Sequence, residues 1–200
     1  MALLGIVVFL LAAYLMGSLP SGYLICRRVA NIDVRTVGSK NIGATNVARS
    51  LGLSWGLLVL LMDMAKGALP VVVALNIWSS GTERDLLIVA SVALAALLGH
   101  LASVFLRFSG GKGVATAFGI SIVLIPKAAL ISFLLFFVVT LIWRYVSLGS
   151  LSALLTLPAW TALTDYNFIY VTLASVFALF IVIRHRSNIR ALLQGKERRI

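Results

Sequence analysis

Charge of one sign is almost missing from this sequence. Six Asp and Glu stand among 200 residues, beside 17 Lys and Arg, two His and one Cys. With so few acids, imidazoles and thiols, no cluster with metal-ligand spacing is visible, so neither a metal nor another cofactor is expected. The lone Cys26 cannot form an intramolecular disulfide and reads as a small apolar filler near a helix end. No Gly-x-Ser-x-Gly elbow occurs, and Cys26 lacks a nearby acid–base partner, so no covalent nucleophile is expected. An enzyme built from this sequence has to work by positioning and electrostatics. Charged residues make up only 12% of the chain, where soluble domains carry about 25%. That shortage excludes an ordinary water-facing surface.

What is there instead is apolar. Hydrophobic residues supply 61% of the chain, and the mean hydropathy is +1.07. A helix needs roughly 20 mostly apolar residues to cross a bilayer, so 1–25, 54–77, 86–108, 128–143 and 168–183 read as spans. Two shorter stretches, 114–125 and 151–163, fit either short or tilted spans or re-entrant and interfacial segments. The first run has no basic n-region before it and no cleavage pattern before Arg27 and Arg28, so it reads as a retained helix.

The net charge of +11 is unevenly placed. Arg27, Arg28, Arg35, Lys40 and Arg49 follow the first run, while Arg184, Arg186, Arg190, Lys196, Arg198 and Arg199 crowd the C-terminus. Between them, segment 76–85 sets Arg84 against Glu83 and Asp85. Basic loops stay in the cytoplasm, which puts the N-terminus outside, the C-terminus inside and the number of crossings odd. Counting both short stretches keeps 110–113, 147–150 and the tail on one side. The expected fold is therefore all-α: an integral membrane protein of about seven transmembrane helices forming one polytopic domain over 1–200. Its cytoplasmic loops lie at about 27–53 and 107–113, and its basic tail starts at about 184. Positive-inside charge explains the basicity without a nucleic-acid partner. Ile189, Leu192 and Leu193, at helical spacing in the tail, suit a short helix on a membrane surface.

Two polar loops interrupt this background. The first runs Val37-Gly38-Ser39-Lys40-Asn41-Ile42-Gly43-Ala44-Thr45-Asn46-Val47-Ala48-Arg49. Its glycines let backbone N–H groups approach an anion, a following helix start adds a positive dipole end, and Arg49 offers a planar fork to phosphate oxygens. The bland alternative is a solvated loop that anchors the next helix to lipid headgroups. The second loop runs Phe108-Ser109-Gly110-Gly111-Lys112-Gly113 and frames a lysine with glycines. It is no Walker A loop, because Leu106 and Gly113 stand where that motif needs Gly and Ser or Thr, so ATP hydrolysis is not expected. A flexible turn with a snorkelling lysine is its alternative.

Weaker features accompany the loops. Asp63 and Lys66 lie one turn apart inside a span, where mutual pairing suffices to explain them. Ser147 and Ser150 share a helical face beside a turn, as local backbone caps often do. His185 and Asn188 are three apart just past the last span, where a histidine can simply complement the helix dipole. His100 reads as a buried histidine bonding to a neighbouring helix.

Taken in order, Gly17-Ser18-Leu19-Pro20-Ser21-Gly22, Asp33-Val34-Arg35, the 38–49 loop, Asp63-Met64-Ala65-Lys66-Gly67 and Gly99-His100 with Gly110-Gly111-Lys112-Gly113 form a specific combination. It resembles the bacterial acyl-phosphate:glycerol-3-phosphate acyltransferases, the PlsY family, over most of the chain. The resemblance implies a small seven-helix enzyme of the bacterial cytoplasmic membrane with its active site facing the cytoplasm. It implies transfer of a fatty acyl group from acyl phosphate to glycerol 3-phosphate, giving lysophosphatidic acid and inorganic phosphate. This is the first acylation of phospholipid biosynthesis, so membrane lipid and an upstream enzyme that forms acyl phosphate are the implied partners. Carried over by position, Ser39, Arg49 and Lys112 belong to the phosphate site, with Gly38, Lys40, Asn41, Gly43, Thr45, Asn46, Gly110, Gly111 and Gly113 completing the loops. His185 and Asn188 hold glycerol 3-phosphate, with Ser147 or Ser150 contributing, and His185 is also a rival for the general base. Three positions depart from the family's habit: Lys40 for a glycine, Ser103 for a proline and Ser109 for a basic residue. Agreement extends to the missing His-x4-Asp acyltransferase motif, since Phe105 follows His100 by five.

Other function classes fit the same helices less well. A transporter or flippase for a phosphorylated lipid calls for paired interrupted repeats, and no convincing repeat is visible. A lipid-binding structural subunit needs no paired anion loops.

Overall fold

An unpaired backbone polar group in lipid costs several kcal/mol, so long apolar runs close their hydrogen bonds within themselves as helices. The computed structural model describes residues 3–164 and 168–199, and every regular element among them is helical. The chain divides into two compact units, Met1–Ile120 and Ser121–Ile200.

The first unit holds α1 (Leu3–Ser18), α2 (Ser21–Ala30), α3 (Ala44–Leu51), α4 (Leu53–Ile77), α5 (Glu83–Leu101) and a 3-10 turn, Val104–Leu106; α6 (Val114–Leu124) begins there. The first apolar run, expected as one helix, is broken at Leu19-Pro20, since proline has no N–H with which to continue the ladder. Small residues set the contact of α1 with α5. A side chain added at Gly17 would strike the Ala96 backbone, and one at Gly99 would strike the Tyr14 carbonyl, so the two helices touch backbone to backbone. Tyr14 Oη donates to the Ala102 carbonyl at 2.6 Å, and Ser103 Oγ donates to the Ser18 carbonyl at 2.5 Å. Gly67 against Thr116 and Gly119 against Met64 seat α6 on α4 in the same way. Gly52, at φ +99°, lets α3 fold back onto the start of α4. Cys26, Val34, Ile42, Val47, Val59 and Leu106 form a buried apolar cluster under the first polar loop, so the thiol is the filler its position suggested.

The second unit holds α7 (Pro126–Trp143), α8 (Val146–Thr164), α9 (Phe168–Arg184) and α10 (Arg186–Leu193). Gly149 rests on the Phe136 carbonyl and Thr140, drawing α8 close to α7. Leu157, Phe177 and Ile181 fill its interior, each at most 2% exposed.

Five described stretches are long and apolar enough to cross a bilayer: Leu3–Ala30, Leu53–Ile77, Glu83–Leu106, Pro126–Trp143 and Val146–Thr164. Counted together as one span, the α9–α10 pair, bent by 63°, makes a sixth. The stretch expected to be short, 151–163, is the inner part of a 19-residue helix, because Ser147, Gly149 and Ser150 lengthen it without adding hydropathy. By contrast, α6 has 11 residues and spans about 16 Å, well below the ~30 Å of a hydrocarbon core. Leu11, Leu61, Leu134, Leu155 and Leu179 stand exposed on these helices, as lipid-facing side chains do.

Candidate active site

The first polar loop is organised around one buried amide. Asn46, 2% exposed on α3, accepts the Ser39 N–H with Oδ1 at 2.9 Å. Its Nδ2 donates to the carbonyls of Val34, Val37 and Asn41 at 3.0, 3.1 and 2.9 Å. Asn41 in turn accepts the Gly43 N–H at 2.9 Å, and the Lys40 N–H reaches the Val37 carbonyl at 2.9 Å. Asn46, expected as a substrate ligand, thus spends its amide on loop geometry. The N–H groups of Ser39, Lys40 and Gly43, expected in a phosphate cradle, are also engaged within the loop. The reason is physical: a folded polar loop pairs its own backbone. What the loop presents outward is Gly38, Ser39 and Lys40, all exposed, with Arg49 exposed in the last turn of α3. Thr45 lies half-buried in the first turn of α3, behind Gly43 at the cap. Gly38 and Lys40 both take left-handed backbone conformations, at φ +57° and +56°.

At the loop's entry, Arg35 grips Asp33 with Nη2–Oδ2 at 2.7 Å and Nε–Oδ1 at 2.9 Å, while its guanidinium lies 4.8 Å from the Tyr23 ring centre. The hydrogen bond from Arg35 holds the Asp33 carboxyl at about 2, below its ordinary 3.8.

The glycine loop lies on a histidine. His100, 3% exposed near the end of α5, has its carbonyl bonded by the Gly111 N–H at 3.0 Å. A side chain at Gly111 would land on the His100 imidazole, and one at Gly110 on the His100 carbonyl and Leu101. Gly113 is buried against Leu97 and Leu101, and Lys112 is half-buried between these glycines. Glycine is therefore required here by packing, which spacing alone did not reveal. Behind His100, its Nδ1 stands 3.9 Å from Asp63 Oδ1. Asp63 pairs with Lys66 at 2.9 Å, the pairing their spacing predicts, and Lys66 Nζ also donates to the Leu19 carbonyl at 2.7 Å.

The second unit gathers its candidates around the tail. Ser147 Oγ donates to Glu197 Oε1 at 2.7 Å, and Asn188 Nδ2 donates to the same oxygen at 2.8 Å. Ser150 Oγ donates back to the Val146 carbonyl at 2.8 Å, the local bonding expected of a helical serine. His185, 1% exposed at the α9–α10 bend, has Nδ1 2.8 Å from the Ile181 carbonyl. A carbonyl only accepts, so Nδ1 carries the hydrogen and Nε2 is the basic nitrogen of the neutral ring. Glu197 escaped the sequence reading; an isolated acid in a basic tail was its only signal. Among the described residues no three His, Cys, Asp or Glu side chains gather as a metal site.

Both loops carry cations among glycines, a composition that suits an anion. The family profile described as glycerol-3-phosphate acyltransferase matches residues 7–195. The chain belongs to this family. It is 44% identical to the glycerol-3-phosphate acyltransferase of Syntrophotalea carbinolica, covering 96% of each chain. The Geotalea daltonii enzyme of the same name is 42% identical over 96% of this chain and 95% of its own. Among solved structures, PlsY (YgiH), an integral membrane glycerol 3-phosphate acyltransferase, superposes in its glycerol 3-phosphate form with a TM-score of 0.91 and 38% identity, over 98% of this chain and 96% of that one. Its lysophosphatidic acid form gives a TM-score of 0.89 at 37% identity, over 98% and 95%. Family membership makes the chain a membrane-embedded acyltransferase of phospholipid biosynthesis.

Proposed function

We propose that this chain transfers a fatty acyl group from acyl phosphate to glycerol 3-phosphate, releasing lysophosphatidic acid and inorganic phosphate. The observation that carries the reading is its whole-length likeness to an acyltransferase solved with glycerol 3-phosphate and with lysophosphatidic acid. Those two molecules differ by one acyl ester. The donor assignment rests on chemistry. Acyl phosphate is already activated, which suits a sequence that carries no nucleophile elbow motif and two cationic, glycine-rich loops.

In this reading the primary hydroxyl oxygen of glycerol 3-phosphate attacks the acyl carbonyl carbon. A carbon–oxygen ester bond forms, the carbonyl carbon–oxygen bond to phosphate breaks, and phosphate departs with the electron pair. The hydroxyl proton passes to that phosphate or to His185 Nε2. Ser39, Arg49 and Lys112 neutralise phosphate, while His185, Asn188 and a serine hold glycerol 3-phosphate. The loops at 38–46 and 110–113 set the cations in place. Of the two serines, Ser150 is the better substrate contact; Ser147 and Asn188 both donate to Glu197 Oε1, a carboxylate that glycerol 3-phosphate has to displace before it meets either. Ser150 gives its proton to its own helix and keeps oxygen lone pairs to accept with.

The topology that fits is seven crossings: the five long stretches, the bent α9–α10 pair, and α6, which crosses only where the bilayer thins to meet it. The N-terminus is then outside, with the tail and polar loops on the cytoplasmic face of the bacterial inner membrane. The chain works as one polytopic domain, and an enzyme that makes acyl phosphate acts upstream.

The test is purified protein in lipid, given glycerol 3-phosphate and one acyl donor at a time. Equal amounts of phosphate and lysophosphatidic acid from acyl phosphate, lost in Arg49→Ala or Lys112→Ala, are expected. Ester formed from acyl-CoA but not from acyl phosphate would overturn the donor assignment. No ester from any donor in folded protein would favour a lipid transporter.

A further inference from the structure

Three ionisable side chains lie buried in the first unit with no part in the chemistry above. Asp63, Lys66 and His100 are 2%, 5% and 3% exposed. Ionisable groups at membrane depth are costly and are retained for a purpose. Pairing at i, i+3 accounts for Asp63 with Lys66. It does not account for the other two contacts, Lys66 Nζ on the Leu19 carbonyl at 2.7 Å and Asp63 Oδ1 within 3.9 Å of His100 Nδ1.

Those contacts run in one direction. Lys66 ties the group to the break between α1 and α2, and Asp63 lies between Lys66 and the imidazole of His100. The opposite edge of that imidazole, at Nε2, is what a side chain on Gly111 would strike. The His100 carbonyl takes the Gly111 N–H at 3.0 Å, so His100 meets the glycine loop with both main chain and ring. Lys112 is the next residue.

We propose that Asp63 and His100 are positioning residues for Lys112: they fix the surface on which the glycine loop lies, and Lys66 anchors them to the α1–α2 break. The inference rests on the proposed function, which places Lys112 among the phosphate cations, and takes the donor's phosphate as the one that Lys112 meets. Neither Asp63 nor His100 touches substrate in this scheme. They decide where the lysine ammonium stands when acyl phosphate arrives, and a displacement of about 1 Å in such a group costs on the order of a hundredfold.

Steady-state kinetics on the full chain in lipid, with acyl phosphate and glycerol 3-phosphate varied separately, test this. His100→Ala should raise the KM for acyl phosphate about ten- to a hundredfold and move that for glycerol 3-phosphate less than about threefold. His100→Gln, which restores bulk and a polar end, should recover much of the loss. Asp63→Asn alone strands a buried lysine charge and risks misfolding. The pair Asp63→Asn with Lys66→Met removes both charges, and it should reproduce the donor-specific shift in protein that melts and elutes as folded. Lys112→Ala is the reference. If it raises the acyl phosphate KM while the His100 and Asp63/Lys66 variants do not, the positioning role is wrong and the assignment of Lys112 stands. If Lys112→Ala leaves that KM unmoved, the assignment of Lys112 fails and takes the inference with it. Equal losses for both substrates, together with a lowered Tm, mark a purely structural role and also overturn it.

Discussion

At the scale of single residues, the Asn46 amide meets four backbone groups of the first loop with one side chain. Asn46→Ala leaves those groups without their partner, and stranded polar groups cost about 1–3 kcal/mol each where they are buried. We expect a loss of about 2–4 kcal/mol, since some regain water, accompanied by loss of activity. An unchanged Tm in detergent would show that the loop does not depend on this amide. The two serines should separate by readout. Ser150→Ala lowers turnover and leaves the tail docked, whereas Ser147→Ala removes one of the two side chains that hold Glu197, Asn188 being the other, and makes the tail more open to protease; the reverse pattern would exchange their roles. Asp33 supplies a pH prediction. Its folded pKa, about 2, lies below the ordinary 3.8, so its pairing with Arg35 contributes fully above about pH 4 and is lost as pH falls through about 2. A carboxyl titration of Asp33 with its midpoint near 3.8 would contradict that hold. Lys40, where the resemblance leads one to expect glycine, sits at φ +56°, so the departure falls at a position whose backbone favours glycine.

Among the elements, the most exacting contact is α1 on α5. Gly99 faces the Tyr14 carbonyl and Gly17 faces Ala96, with no room for a side chain at either. Gly99→Val should force the helices apart and cost about 2 kcal/mol or more, read as a drop in Tm. A Tm within one degree of the parent would mean that the contact is looser than drawn. The long helices were legible because lipid leaves a backbone no alternative. Their ends were less so. The length of α8 was hidden by Ser147, Gly149 and Ser150, which are helical but not apolar, and the break at Leu19-Pro20 was masked by apolar residues around it. The glycines at 110 and 111 were visible as an unusual loop, but their packing on His100 depends on a residue ten and eleven positions away whose closeness only the fold creates. Likewise, Glu197 meets Ser147 across 50 positions of sequence.

For the molecule as a whole, composition and motifs carried most of the reading. An excess of 17 basic over six acidic residues, spread unevenly along apolar runs, was enough for a membrane protein with basic loops. The order of its motifs was enough for the family, which the match over residues 7–195 establishes. Less legible was which site residues build the loops and which face the ligand, because that division depends on hydrogen bonds such as those of Asn46. The central claim is that this chain catalyses by holding two phosphate-bearing reactants in line, with no acyl group passing through the protein. The direct measurement is a rapid-mixing experiment with enzyme and acyl phosphate at comparable concentrations and no glycerol 3-phosphate. No burst of phosphate is expected until glycerol 3-phosphate is added, and then phosphate and lysophosphatidic acid should rise together. A burst of phosphate matching the enzyme concentration, before any acceptor is present, would reveal an acyl-enzyme and contradict it.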